Sequence, residues 1–251
     1  MNIGDRLEAI GKLVPVGCTF ADIGTDHAYL PVWLLEQGKI SSAIAGDIAE
    51  GPCLAARNTV SMYGMKGKVE VRLGSGLKVL KAGEAECIAI AGMGASTMIE
   101  IFEADMPLAV EAKRLVLQPM AGAASLRKWL TQNGWHIVAE DLVEDGRHLY
   151  EIMAVERGES KAYSEAVWEI GPQLIEVKHP LLAKQFAKQI NGYKKLLTNM
   201  GKSEQARASE KYLAWEKLVQ ELEALADAGN CKWFSRTVGR INAFQFSRRL
   251  G

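Results

Sequence analysis

A short polar segment around a single glycine is the part of this sequence best equipped for chemistry. The segment reads ADIGTDHAYLP and places two carboxylates, Asp22 and Asp26, close to the imidazole of His27 and the ring of Tyr29. Gly24 is its only glycine, so the three-glycine cradle that holds a pyrophosphate is missing. An aminoacyl group fits better, because Asp22 can accept from its ammonium and the backbone amides after Gly24 can donate to its carboxylate. The alternative is an acidic surface turn between core elements.

Three other loops carry residues that suit a small ligand. Asp47 follows Gly24 by about 20 positions, the separation at which an acid meets the hydroxyls of a ribose. The alternative is that Asp47 caps the helix expected to begin near Glu50. Residues 74–76 and 92–94 each contain two glycines, which either let the backbone approach a ligand closely or simply form a turn.

Short apolar runs alternate with helical patterns along the first part of the chain, and this alternation predicts the elements that position the four loops. The predicted strands cover residues 18–23, 42–47, 68–73, 86–91 and 113–118, and a later helix covers 123–132. The pattern is typical of a parallel sheet with helices on both faces. Each candidate loop follows one of the first four strands, so all four lie at the carboxyl edge, where ligands bind.

A hairpin closes this α/β pattern. Residues 137–143 and 148–155 are strand-like, and the Asp145-Gly146 pair between them favours a tight turn. One antiparallel strand is therefore expected in an otherwise parallel, Rossmann-like sheet. Dinucleotide-binding domains usually lack this hairpin, whereas the outline is similar to class I methyltransferases, which use S-adenosylmethionine. That cofactor has an aminoacyl end and no pyrophosphate.

The end of the fourth predicted strand is informative through what it lacks. Enzymes that methylate an exocyclic amino group commonly carry Asp or Asn, two prolines and an aromatic residue there, and this chain has AGMG over residues 91–94. A ring nitrogen with a free lone pair needs no such acceptor, because it attacks the methyl group directly and a proton leaves afterwards. Orientation then matters most, together with one modest base.

Charge is distributed unevenly, although 30 basic and 30 acidic side chains cancel over the 251 residues. Residues 1–160 hold 15 basic and 21 acidic side chains, a net charge of −6, while residues 161–251 hold 15 and 9, a net charge of +6. A polyanion is therefore expected on the second part. The four cysteines lack C-x-x-C spacing and no run of 18 apolar residues occurs, so we expect a cytoplasmic protein without a metal or a membrane partner.

The pattern turns purely helical after residue 160. We therefore predict a ligand-binding domain over 1–160, an antiparallel coiled-coil hairpin over 161–230 and a basic aromatic tail over 231–251. Two apolar runs with alternating spacings of three and four support the hairpin: Phe186, Ile190, Tyr193, Leu197 and Met200, then Tyr212, Trp215, Val219, Leu222 and Ala226. The short link over 201–203 requires the two helices to fold back on each other.

The first of these helices carries many lysines. Six lysines and no acid occur between residues 178 and 203. A solvated helix face is the ordinary interpretation of such a run, but the missing acids favour contact with phosphates. We expect these lysines to position an RNA: Lys184, Lys188, Lys194, Lys195 and Lys202.

Five segments, together with the helical hairpin, carry a resemblance to one family. The segments are ADIGTDHAYLP, AGDIAEGP, RLGSGL, IAIAGMG and LVLQPM. Over residues 1 to about 228 the chain resembles the bacterial TrmK family of tRNA (adenine(22)-N1)-methyltransferases. The resemblance implies methyl transfer from S-adenosylmethionine to N1 of an adenine in tRNA. It also implies a cofactor site, which with the adjoining loop residues comprises Asp22, Gly24, Thr25, Asp47, Ile48, Gly74, Ser75, Gly76, Ala91, Gly92 and Met93.

The same resemblance implies that Asp26, His27 and Tyr29 face the target base as catalytic residues. Tyr29 offers a ring on which an extruded adenine can stack, and Asp26 can accept from its amino group. His27 has an alternative role as a cap at a helix start. Two residues depart from the family pattern: Ser75 stands where Asp is expected, which predicts weaker cofactor binding, and Ala95 stands where Gly is expected.

Two other functions fit the residues alone. One is a methyltransferase that acts on a small molecule or a protein and uses the hairpin to oligomerise, although we expect a monomer. The other is a nucleotide-sensing module without enzyme activity, whose coiled coil recruits a partner. Salt-sensitive tRNA binding argues against the first, and transfer of a labelled methyl group into RNA argues against the second.

Overall fold

The computed structural model describes residues 1–228, so the tail predicted over 231–251 lies outside the described residues. The chain divides into two compact units, Met1–Ala162 and a second unit that begins at Tyr163. Within residues 1–228 no helix is long and apolar enough to cross a membrane.

The first unit is built on one seven-stranded sheet. Its strands are β1 (Thr19–Ile23), β2 (Ser42–Asp47), β3 (Val69–Leu73), β4 (Cys87–Met93), β5 (Arg114–Pro119), β6 (Trp135–Asp145) and β7 (His148–Arg157). Their order across the sheet is β3-β2-β1-β4-β5-β7-β6. The first five strands pair in parallel, and β7 pairs antiparallel with both β5 and β6. The predicted α/β sheet with one antiparallel strand is confirmed.

The hairpin between β6 and β7 turns where its sequence predicts. Asp145 pairs with His148 in the ladder, which leaves Gly146 and Arg147 as a two-residue loop. Gly146 has a φ of +61°, a conformation that such tight turns require and that glycine adopts at little cost. The turn sets β7 beside β5 and places β6 at the edge of the sheet.

Helices of the first unit pack against the sheet and against one another. They are α1 (Gly4–Leu13), α2 (Tyr29–Glu36), α3 (Glu50–Met62), α4 (Ala95–Ala104), α5 (Met106–Glu111) and α6 (Ala123–Gln132). Helix α1 packs on β5, β6 and β7, and α4 packs on α6. The central strands are buried on both faces, as their continuous apolar runs predict, through residues such as Phe20, Ile88, Ile90, Leu115 and Leu117.

The second unit is helical throughout its described part. Its helices are α7 (Glu165–Ile170), α8 (Pro172–Glu176), α9 (Leu182–Met200), α10 (Glu204–Arg207) and α11 (Glu210–Ala228). Helices α9 and α11 pack against each other, and the ring of Tyr193 meets the ring of Trp215 edge to face at 5.9 Å. Each residue of the two predicted seams is at least partly buried. The coiled-coil geometry stays a prediction.

The link between α9 and α11 is longer than the three residues expected. It runs from Gly201 to Ser209 and contains the extra helix α10. The side chain of Ser203 accepts from the backbone amide of Ala206, and this cap starts the additional turn. A serine that reads as linker in the sequence therefore begins a helix.

Candidate functional site

A cavity of about 320 Å³ opens at the carboxyl edge of the parallel strands. It lies where the strand order reverses between β1 and β4, the switch point at which sheets of this kind bind ligands. Its volume falls in the range of small-molecule sites. Seven of the predicted cofactor residues line it: Gly24, Asp47, Ile48, Gly74, Ser75, Gly76 and Met93.

Four predicted cofactor residues do not line this cavity. Asp22 and Thr25 are buried and bond to each other, the Thr25 hydroxyl donating to Oδ2 of Asp22 at 2.6 Å. Ala91 is half-buried within β4, and Gly92 is exposed beside it. The physical reason on the β4 side is a register shift between Ala91 and Met93, which turns Gly92 outward so that its amide donates to Oε1 of Gln118.

The first three amides after β1 donate to acceptors within the protein. Gly24 and Thr25 both donate to the carbonyl oxygen of Gly46, at 2.8 and 3.0 Å, and the amide of Asp26 donates to Oδ2 of Asp47 at 3.3 Å. With a φ of +75°, Gly24 turns the chain toward β2, which brings these amides to their acceptors. The amides of Gly24, Thr25 and Asp26 are therefore not free to donate to a ligand carboxylate.

Glycine is required at these loops largely because protein atoms pack against it. A Cβ atom at Gly24 would collide with Cε of Met93, one at Gly74 would lie 2.9 Å from a Cγ of Val79, and one at Gly76 would lie 3.1 Å from a Cγ of Ile101. The glycines therefore allow β4, the Gly76–Val79 turn and α4 to close tightly around the cavity.

Asp22 is the titratable group most altered by its surroundings. Burial raises its pKa to about 6, the Thr25 hydroxyl opposes that rise, the negative charge of Asp47 adds to it, and the positive charge of Arg6 opposes it. Because its ionised form is disfavoured, this carboxylate gains more than an exposed one from a bound cation. The predicted role toward an ammonium group suits this environment, although Asp22 does not itself line the cavity.

Asp47 does not cap the helix that follows it. Helix α3 begins at Glu50 without a side-chain cap, and the two oxygens of Asp47 accept instead from the amides of Ala49, at 3.0 Å, and Asp26. The half-buried carboxylate lines the cavity at the end of β2. It thereby joins the cavity to the turn that carries the predicted catalytic residues.

Those residues form one cluster. Nε2 of His27 lies 3.5 Å from Oδ2 of Asp26, and the rings of His27 and Tyr29 stack with centroids 5.0 Å apart and planes 8° from parallel. Asp26 and Ala28 have φ angles of +53° and +56°, which residues with side chains rarely adopt. His27 does not cap α2, whose N-cap is Ala28 without a side-chain bond. A strained turn that presents partly exposed rings is a feature of functional sites.

Residues of α4 belong to the cavity and were missed in the sequence. They share one helix face, and the only signal for them is their helical spacing after residue 94: Thr97, Glu100, Ile101 and Ala104, with Asp105 beyond and Lys78 opposite. Arg6 and Gln118 were also missed at the same edge. Nη1 of Arg6 donates to Oε1 of Gln118 at 2.7 Å across 112 positions of sequence, which no local pattern reveals.

The predicted RNA-contacting lysines differ in their surroundings. Nζ of Lys194 lies 2.6 Å from Oε1 of Glu223, so this lysine ties α9 to α11. Four others are exposed on or just beyond α9: Lys184, Lys188, Lys195 and Lys202. Among residues 1–228, no three His, Cys, Asp or Glu side chains are grouped so that they could hold a metal ion.

Comparison with known proteins gives consistent matches. Residues 20–223 match the family model described as tRNA (adenine(22)-N(1))-methyltransferase, TrmK. The chain is 31% identical over 232 residues to the tRNA (adenine(22)-N(1))-methyltransferase of Bacillus subtilis (strain 168), covering 90% of this chain and 97% of the relative.

Two ligand complexes are similar in structure. The complex of Streptococcus pneumoniae Sp1610 with S-adenosyl-L-methionine matches with a TM-score of 0.79 and 33% identity, over 89% of this chain and 99% of that one. The complex of M. capricolum TrmK with S-adenosyl-homocysteine matches with a TM-score of 0.76 and 25% identity, over 90% and 98%.

Proposed function

The chain belongs to the TrmK family of tRNA (adenine(22)-N(1))-methyltransferases, and we propose that its two units divide that family's reaction between them. It is an S-adenosylmethionine-dependent enzyme that methylates N1 of adenine 22 in tRNA. The first unit performs the chemistry and the second positions the RNA. The observation that carries this division is that the cavity and the Asp26–Tyr29 cluster follow the same strand, β1, and are joined through Asp47.

The cofactor suits the residues around the cavity. Asp47, at the end of β2, accepts hydrogen bonds from the ribose hydroxyls, and Ile48 and Met93 offer apolar surface to the adenine. The buried carboxylate of Asp22 stabilises the ammonium group electrostatically. When bound, S-adenosylmethionine supplies the methyl group that N1 of the target adenine receives.

The exposed cluster after Gly24 handles the target base. Tyr29 stacks on the extruded adenine. The orientation of the Tyr29 ring is set by its parallel stacking on His27. Asp26 accepts from the exocyclic amino group and stabilises the positive charge that develops on the ring as N1 becomes methylated. His27, whose Nε2 lies 3.5 Å from Oδ2 of Asp26, is close enough to orient that carboxylate.

The tRNA is positioned by the exposed lysines of the second unit. Two of them, Lys195 and Lys202, have no acidic partner among residues 1–228. The first part of the chain has a net charge of −6 and repels a polyanion, so the cations for phosphate contact come mainly from α9. We place the enzyme in the cytoplasm with its tRNA substrate, as a monomer whose single chain supplies both the cavity and the cluster.

A direct experiment is nucleoside mass spectrometry of tRNA incubated with the full chain and S-adenosylmethionine. We expect 1-methyladenosine in tRNA that carries adenine at position 22 and none in a matched tRNA that carries guanine there. Equal methylation of both tRNAs would contradict the assigned position. Methylation of neither, with a folded protein that binds the cofactor, would contradict the assigned substrate.

A further inference from the structure

An arginine that the proposed mechanism does not use lies at the same edge of the sheet. Arg6 lies in the first turns of α1, which packs on β5, β6 and β7. Its Nη1 donates to Oε1 of Gln118 at 2.7 Å, and its guanidinium carbon lies 5.6 Å from the centre of the Tyr150 ring. The guanidinium is therefore held in a defined place by one hydrogen bond and one aromatic face.

Gln118, which accepts the hydrogen bond from Arg6, is itself held in one position. Gln118 is fully buried near the end of β5, where its Oε1 also accepts from the amide of Gly92 at 3.2 Å and its Nε2 donates to the carbonyl of Pro119 at 3.1 Å. These three bonds leave the side chain a single orientation. A Cβ atom at Gly92 would lie 3.8 Å from Nη1 of Arg6, so the cation stands against the outward turn of β4.

Arg6 keeps most of its hydrogen-bonding capacity. Among residues 1–228 it forms no ion pair with a carboxylate, and only one of its five N–H donors is bonded there. It is half-buried in a part of the chain whose net charge is −6. A half-buried guanidinium with unused donors is well suited to bind an anion through two parallel hydrogen bonds, in bidentate geometry.

Arg6 and the strand that leads into the target-base cluster lie on the same sheet edge, about two strand spacings apart. Strands β1, β4 and β5 are neighbours, and Gln118 of β5 pairs with Ala91 of β4. At about 4.8 Å between strands, Gln118 lies roughly 10 Å across the sheet from β1, the strand that leads into the cluster. A nucleotide extended from its base to its phosphate covers a similar span.

We propose that Arg6 binds a phosphate of the tRNA strand beside the target adenine, with Gln118 and Tyr150 holding the guanidinium in place. The inference rests on the proposed function, because it takes the base at the Asp26–Tyr29 cluster to be an adenine of tRNA. The contact provides an RNA anchor within the first unit, distinct from the lysines of α9. It orients the nucleotide and needs no contact with the cofactor.

A double-mutant cycle between protein and RNA tests this contact. The full chain and its Arg6→Gln variant are each titrated with tRNA whose linkages on either side of nucleotides 21 to 23 are replaced, one at a time, by neutral methylphosphonate. We expect Arg6→Gln to weaken binding of unmodified tRNA about tenfold and to lower the salt slope by about 0.7 to 0.9. At one linkage, the protein variant and the neutral phosphate together should weaken tRNA binding no more than either change alone.

The control is Arg57→Gln, which removes an exposed arginine of α3 and should leave the effect of that linkage as in the unchanged chain. Arg6→Lys keeps the positive charge but lacks the paired N–H donors of the guanidinium, so it should retain part of the coupling. It replaces Arg6→Gln in the cycle if that variant does not fold. Full additivity at every linkage would overturn the proposal. So would unchanged tRNA binding with weakened cofactor binding, which would mean that Arg6 acts through Asp22.

Failure of the proposed function gives a different result from failure of this contact. If the unchanged chain leaves adenine 22 unmethylated, the proposed function is wrong whatever the cycle shows. If adenine 22 is methylated and the cycle is additive, only the assignment of Arg6 is wrong.

Discussion

The carboxyl edge of the first unit and the lysine-bearing helix of the second show two ways of presenting charge. At the edge, Asp22 is buried and accepts from the Thr25 hydroxyl, and Asp47 is half-buried and accepts from two backbone amides. On α9 and just beyond its end, Lys195 and Lys202 are exposed to solvent. Fixed charges suit atoms that must be oriented within a fraction of an ångström, whereas mobile charges suit a polyanion held mainly by its field. Substitutions in the two regions should therefore affect different measurable quantities.

The largest effect is expected at Asp26. Asp26→Asn removes the negative charge that stabilises the methylated ring but keeps the shape of the side chain, so single-turnover methylation should fall by about 10² or more. Affinity for cofactor and tRNA should stay within a few-fold, as measured by calorimetry and titration. If cofactor affinity collapsed instead, Asp26 would belong to the cofactor site.

Asp47 should give the next largest change, in binding rather than rate. Charge-assisted hydrogen bonds contribute on the order of 1.5 to 3 kcal/mol, so Asp47→Ala should weaken S-adenosylmethionine binding roughly 10- to 150-fold. Calorimetry with the variant measures this. Glu103→Ala, at an exposed acid of α4 whose carboxylate accepts from Trp129 outside the cavity, is a matched control. Equal affinities of the two variants would remove Asp47 from the site.

The pH dependence of cofactor binding should reveal Asp22. Its pKa is raised to about 6, so below that pH the carboxyl takes up a proton and no longer stabilises an ammonium group. Cofactor affinity should fall up to about tenfold per pH unit below 6, and Asp22→Asn should abolish this dependence. A variant with the same pH profile as the unchanged chain would contradict the role of Asp22.

The same carboxyl should affect stability with the opposite sense. Because the pKa of Asp22 in the folded chain is higher than the ordinary value of 3.8 for this side chain, folding favours the protonated form. The stability that Asp22 contributes is present below about pH 4 and is lost as the pH rises through 6. Between pH 4 and 6, the free energy of unfolding measured by chemical denaturation should fall less for Asp22→Asn than for the unchanged chain. An identical fall would mean that another group titrates.

The smallest effect is expected from the lysines. Replacing Lys195 and Lys202 by Gln should lower the slope of tRNA affinity against salt by about 1.4 to 1.8 and leave cofactor affinity intact. Lys194→Gln is the matched control, because Lys194 is paired with Glu223 and should change the slope less than Lys195→Gln. An unaltered slope in the double variant would make these lysines an ordinary solvated face.

The sequence predicts the sheet well because burial constrains it on both faces. Each predicted strand is present with ends within two residues, and the helix over Ala123–Gln132 has the expected bounds. Strand β4 runs on to Met93 because a bulge lets pairing continue past Ala91, and a bulge leaves no clear pattern in composition.

The site is predicted less completely, because several of its features depend on contacts distant in sequence. The bond between Arg6 and Gln118 spans 112 positions. The first three amides after β1 were offered to a ligand carboxylate, but the carbonyl of Gly46 and the carboxylate of Asp47, both on another strand, accept from them. Residue types and spacing identify the loops, whereas hydrogen-bond partners depend on how the strands meet.

Single-turnover methylation at saturating tRNA and cofactor tests the division of roles most directly when Asp26→Asn is compared with the Lys195→Gln and Lys202→Gln double variant. Saturation removes differences in binding, so only the chemical step remains. The account predicts a rate at least about 10² lower for Asp26→Asn and a rate near that of the unchanged chain for the lysine variant. Similar rates for the two variants would contradict the assignment of chemistry to the first unit and RNA positioning to the second.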